Sequence, residues 1–112
     1  MVSRRSIRRG EIWFVKLDPT VGSEIRKTRP CIIVSPAELH DYLRTAIIAP
    51  LTSKGFSAPY RIPVRHGGRD GIILLDQIRT IDKSRLTKRV GALAPAALST
   101  VLSVLTELFS EY

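Results

Sequence analysis

The chain has 112 residues, 44% of them hydrophobic and 25% charged, with a formal net charge of +8. That length holds one domain with a modest core, and no apolar run approaches the ~20 residues a membrane helix needs. One cysteine cannot close an internal disulfide, no metal-ligand spacing occurs, and neither a Walker loop nor a dinucleotide fingerprint is present.

The first ten residues, Met1 to Gly10, lack the apolar stretch of a secretory signal. With the lone thiol, this fits a reducing cytoplasm. Arg4, Arg5, Arg8 and Arg9 read either as a loose basic tail over residues 1–9 or as part of a field that steers phosphates. Arg26, Lys27 and Arg29 extend that field, and Lys83, Arg85, Lys88 and Arg89 form a second basic group. A pI near 10.4 points to a polyanionic or acidic partner.

Glu11 to Leu17 is aromatic and β-branched and predicts a strand. Both of its faces are apolar, so one needs cover from a helix or a second subunit. Asp18 opens a loop that runs to about Thr28, with Gly22 permitting a turn. Arg29 to Ser35 is a second strand, and Pro30 biases Arg29 toward extended backbone at its doorway. Cys31, inside this strand, reads as a small hydrophobe rather than a nucleophile.

Pro36 to Leu43 predicts a short helix with Ser35 as N-cap. Thr45 to Leu51 is a third strand, and Tyr60 to Arg65 a fourth, placed at an edge by Pro63. His66 to Asp70 is turn chemistry, Gly71 to Leu75 a buried strand, and Arg89 to Leu93 a last strand. From Pro95, apolar residues recur at helical spacing through Phe109, predicting about four turns of amphipathic helix. The fold class is therefore mainly β with a C-terminal helix, a small and partly open barrel whose rim loops at 18–28 and 52–59 build the site.

Thr52, Ser53, Lys54 and Gly55 follow a buried strand directly. They read as a phosphate cradle or as an ordinary strand-exit turn. Phe56 either stacks on a base or folds back onto the barrel. His40 and His66 are expected to be exposed, and nothing in the sequence brings them together as an acid–base pair.

Six short motifs occur in register. They are Gly10-Glu11-Ile12-Trp13, Asp18-Pro19-Thr20, Gly22-Ser23-Glu24, Arg29-Pro30, Pro50 to Gly55, and Asp76 to Asp82. Together they resemble the MazF/PemK toxin family over nearly the whole chain. The resemblance implies an SH3-like barrel of the MazF/CcdB type and a tight homodimer. It implies a sequence-specific endoribonuclease that cuts single-stranded RNA with no metal or cofactor. It also implies an antitoxin partner with an acidic C-terminal segment.

By the same resemblance, Arg29 and Thr52 are the catalytic pair and Glu24 supports them. One branch of the family has a histidine where this chain has Ser23 and an arginine where it has Leu74, beside the aspartate matching Asp76. The Arg/Thr chemistry is therefore favoured here. Base choice is expected from Ser23, Ser53, Lys54, Phe56 and Gln77. The C-terminus ends Leu108-Phe109-Ser110-Glu111-Tyr112, unlike the Trp-Gly tail of gyrase-poisoning toxins of this fold. Read without the resemblance, charge and fold also suit a non-catalytic nucleic-acid-binding barrel, or an interaction module for an acidic protein.

Overall fold

Among the described residues, β-branched and other apolar side chains build seven strands, and the two helices sit where proline opens a helical turn. The computed structural model describes residues 6–17, 22 and 27–111. In chain order the elements are β1 (Glu11–Lys16), β2 (Thr28–Ile33), α1 (Ala37–His40), β3 (Thr45–Thr52), β4 (Arg61–His66), β5 (Arg69–Leu74), β6 (Arg79–Asp82), β7 (Leu86–Ala92) and α2 (Pro95–Leu108). Single 3-10 turns cover Leu75–Gln77 and Lys83–Arg85.

All pairings are antiparallel. The order is β4-β5-β3-β2-β1-β7, with β6 added to β3. Register shifts in β1 against β7, at Ile12/Trp13 and Phe14/Val15, bend the sheet. β4 is an edge strand, as Pro63 requires.

β1, β2 and β3 split their side chains between two apolar layers. Trp13, Val15, Cys31, Ile33, Ile48 and Ile81 share one. Ile12, Ile32, Ala49, Leu51, Ile73 and Val101 share the other. On the second face of β1, Ile12 shares its layer with Val101 of α2, while Phe14 is half-buried.

Several local expectations are corrected. The helix after Ser35 is a single turn, Ala37–His40, with Pro36 at its N-cap and no side-chain cap. Ser35 is drawn inward instead: its Oγ accepts the Ile47 N–H at 3.1 Å and faces His40 Nδ1 at 2.9 Å. His40, expected at the surface, is fully buried. Its Nε2 lies 3.0 Å from the Ile7 carbonyl, which can only accept, so that nitrogen carries the proton. His66 packs elsewhere, against Gly91, so the two histidines form no pair.

The turn before β5 is only Gly67-Gly68, both at positive φ (58° and 76°), the geometry that closes a two-residue hairpin. β5 therefore starts at Arg69 rather than Gly71. Arg79 to Asp82 is a strand, since Thr45 to Ile48 pair with it.

The basic N-terminal segment is anchored from Ile7 onward. Ile7 is buried, and Arg9 Nε donates to the Val34 carbonyl at 3.2 Å. Gly10 N–H donates to Ile33 at 2.7 Å, and its carbonyl accepts from Leu93 at 2.8 Å. Gly10 has φ +94°, and a Cβ there would stand 2.9 Å from Leu98 Cδ2 on α2. Gly10→Ala is expected to cost about 1–3 kcal/mol of stability through that backbone strain, read as a lower urea midpoint with unchanged m-value.

Glu11 locks the same end of the sheet. Its carboxylate accepts from Trp13 Nε1, the Arg8 N–H and Arg89 Nε, at 3.1, 3.0 and 2.9 Å. Burial alone would raise its pKa; these bonds, with the Arg89 charge, outweigh burial and lower it from the ordinary glutamate value. Such a carboxylate contributes stability above its unfolded pKa and loses it as pH falls through the folded value. Glu11→Gln should therefore destabilise by about 1 kcal/mol at neutral pH. In paired thermal melts the gap to the parent should close as pH falls through the lowered folded-state pKa of Glu11.

Candidate active site

The rim where β2 begins and β3 ends gathers the candidate residues. The β2–β3 register pairs Cys31 with Pro50, Ile32 with Ala49 and Ile33 with Ile48. Carried two residues further, that register sets Arg29 across from Thr52. Side chains alternate along a strand, so Arg29 shares the face of Cys31 and Ile33, and Thr52 that of Ile48. The two expected site residues therefore project from the same side of the sheet at one end.

Arg79, on β6, projects to that face as well, and its Nη1 donates to the Leu17 carbonyl at 3.1 Å. Arg85 Nη1 similarly donates to the Lys16 carbonyl at 2.9 Å. These contacts fix two cations near the Arg29 doorway. The Arg29 guanidinium makes no hydrogen bond or ion pair among the described residues. A half-buried, uncommitted fork beside other cations suits an oxyanion.

Cys31 lies beneath this cluster. Burial pushes its thiol up to about 12, against the opposing pull of Arg79 and Arg29. It is therefore a neutral filler at physiological pH, as the sequence indicates.

Thr52 is 6% exposed, and its Oγ1 accepts the Lys54 N–H at 3.1 Å. This closes a small turn of the kind threonine makes with the backbone two residues on. The Lys54 amide is thus spent on the turn rather than offered to a phosphate. The hydroxyl proton, by contrast, has no acceptor among the described residues. A buried donor left over in this way is a group that a substrate oxygen can satisfy.

Ser53 and Lys54 are exposed at the turn, and Gln77 ends the 3-10 segment that follows β5. Phe56 is 64% exposed, yet one face of its ring covers Arg61, with Cζ 4.4 Å from the centroid. The ring thus folds back onto Arg61 and keeps an open side. Ser23 and Glu24 lie outside the described residues, as does most of the 18–28 loop.

Arg61 is the residue that the sequence reading missed. Its Nε and Nη2 grip Asp76 Oδ1 and Oδ2 at 3.1 and 2.9 Å. Arg61 pairs across the ladder with Leu74. A guanidinium thus reaches Asp76 from the strand facing position 74, although position 74 is leucine. Only strand pairing reveals this; 15 residues separate the partners in sequence.

A cleft of about 460 Å³ opens elsewhere, between Ser6 to Arg9 and α1, with Glu38 and Asp41 on its wall. No candidate residue lines it. Among the described residues, no three His, Cys, Asp or Glu side chains stand together as metal ligands. Among the described residues, no helix is long and apolar enough to cross a membrane.

The family described as PemK-like, MazF-like toxins of type II toxin–antitoxin systems matches residues 8–109. The chain belongs to this family. Endoribonuclease PemK of Escherichia coli is 38% identical over an alignment covering 98% of this chain and 88% of its own length. Endoribonuclease EndoA of Bacillus subtilis is 39% identical, over 75% of this chain and 78% of its own.

The fold agrees with solved relatives. MazF of Deinococcus radiodurans superposes with a TM-score of 0.82 at 23% identity, covering 94% of this chain and 97% of that one. A mycobacterial endoribonuclease in complex with its cognate antitoxin gives 0.80 at 19% identity, covering 96% and 99%. The expected curled, mainly β toxin fold with a C-terminal helix is therefore the fold observed.

Proposed function

We propose that this toxin is an endoribonuclease that cuts single-stranded RNA at specific sequences, using the substrate's own 2′-hydroxyl and no metal. The 2′-oxygen bonds to phosphorus while the bond to the 5′-oxygen breaks. The products are a 2′,3′-cyclic phosphate and a 5′-hydroxyl. The 2′-hydroxyl proton goes to a base, for which Glu24 is the candidate, and the departing oxygen takes up a proton. Arg29 stabilises charge on the nonbridging oxygens, since a permanently charged fork matches two of them. A permanently charged guanidinium is a poor proton shuttle. Thr52 donates its hydroxyl proton to the same phosphate, and Ser23, Ser53, Lys54, Phe56 and Gln77 read the flanking bases.

The observation that carries this reading is the shared face and extended register of Arg29 and Thr52, in a chain whose relatives are named endoribonucleases. An antitoxin partner follows from family membership. An acidic C-terminal segment would suit the basic rim and the +8 charge. Pairing of two copies, in the cytoplasm, completes the proposal; sedimentation of a monomer at micromolar concentration would overturn the pairing.

The decisive experiment incubates the purified protein with RNA in EDTA and maps the new 5′ ends. Discrete cuts leaving 5′-hydroxyl ends are expected. Intact RNA with shifted mobility would instead favour a non-catalytic nucleic-acid-binding barrel.

A further inference from the structure

The end of β3 carries an arrangement beyond the catalytic pair. Both Asp76 oxygens accept from one edge of the Arg61 guanidinium, Nε at 3.1 Å and Nη2 at 2.9 Å, which fixes the guanidinium plane. The Phe56 ring lies over that plane, 4.4 Å from Cζ, and is still 64% exposed. A Cβ placed on Gly55 would lie 3.8 Å from Arg61 Nη1 and 4.0 Å from Thr52 Cγ2. The ring, the fork and the catalytic threonine are therefore contiguous.

An arginine side chain alone is too mobile to hold an aromatic ring still. Clamped by a carboxylate, it becomes a rigid bed, and the cation attracts the π face laid on it. The outer face of the ring is then open to solvent, with no partner among the described residues. A fixed aromatic face beside a phosphate-binding rim suits a nucleobase, since every base offers a π surface.

We propose that Phe56, bedded on the Arg61–Asp76 pair, is a stacking platform for the RNA base next to the cleaved phosphodiester. Arg61 and Asp76 act as positioning residues for that platform. The inference rests on the endoribonuclease reading above and specifies one base contact within it.

Two measurements test it. In the first, cleavage kinetics use an RNA carrying the mapped cut sequence. Phe56→Ala should raise KM about tenfold or more, with the loss in KM rather than kcat. Asp76→Asn and Arg61→Lys should raise KM in the same direction by a smaller factor, and Phe56→Tyr should restore it. In the second, Phe56→Trp adds an indole to a chain whose own Trp13 is buried. Titration with a single-stranded RNA blocked by 2′-deoxy substitution should quench that fluorescence. Combining Phe56→Trp with Asp76→Asn should weaken the quench, with circular dichroism verifying the fold.

Unchanged KM for Phe56→Ala in an active enzyme overturns the platform and leaves the nuclease standing. Absent cleavage by the parent protein defeats the nuclease reading. The indole titration then still decides the stacking contact, and an unquenched signal on bound RNA overturns it.

Discussion

Replacing Arg29 by lysine is expected to slow RNA cleavage at least ~10²-fold, the usual cost of removing one oxyanion donor. Lysine keeps the charge and loses the planar fork, so the variant separates geometry from electrostatics. Arg29 is half-buried and uncommitted among the described residues, so the substitution strands no structural partner. Its thermal stability should match the parent. Single-turnover rates on one labelled RNA give the answer, and a near-normal rate removes Arg29 from the chemistry.

Thr52→Val should slow the same step by a factor approaching ~10², since it deletes the hydroxyl at nearly constant volume. This substitution also deprives the Lys54 amide of its acceptor at 3.1 Å, so some stability loss is expected, about 1 kcal/mol. The contrast with Thr52→Ser separates the two roles. Serine keeps the hydroxyl, so it should retain the turn and most of the rate. If Thr52→Ser is as slow as Thr52→Val, the hydroxyl is not what matters. If Thr52→Val cleaves normally, Thr52 is only the turn residue its Lys54 bond makes it.

Much of this was legible in the sequence because it is encoded locally. The aromatic and β-branched run at 11–17, the prolines at 63 and 95 and the helical spacing after Pro95 each specify an element without reference to distant residues. The candidate site is half legible. Arg29 and Thr52 could be named from motif resemblance, but their facing register depends on β2 and β3 pairing.

What the sequence hid is long-range. His40 looked like a surface residue because its short helix is polar, yet the Ile7 carbonyl and Ser35 hydroxyl draw it into the interior. Ser35 looked like a helix cap because Ser before Pro usually is one, and the Ile47 amide competes for its oxygen. Arg61 had no local signal at all: its meaning comes from Asp76 across the sheet and Phe56 above it. The turn at Gly67-Gly68 was placed correctly but drawn too wide, because flanking Arg69 and Asp70 are as compatible with a strand edge as with a loop.

The buried imidazole has a practical bearing on how this toxin is cloned. The family match begins at residue 8, whereas Ile7 fills the interior and its carbonyl receives the His40 ring proton at 3.0 Å. An expression boundary trimmed to the matched span would amputate a core side chain and orphan a ring N–H in a dry environment. Starting at residue 6 or upstream avoids both losses, and affinity tags are better separated from Ile7 by a flexible spacer.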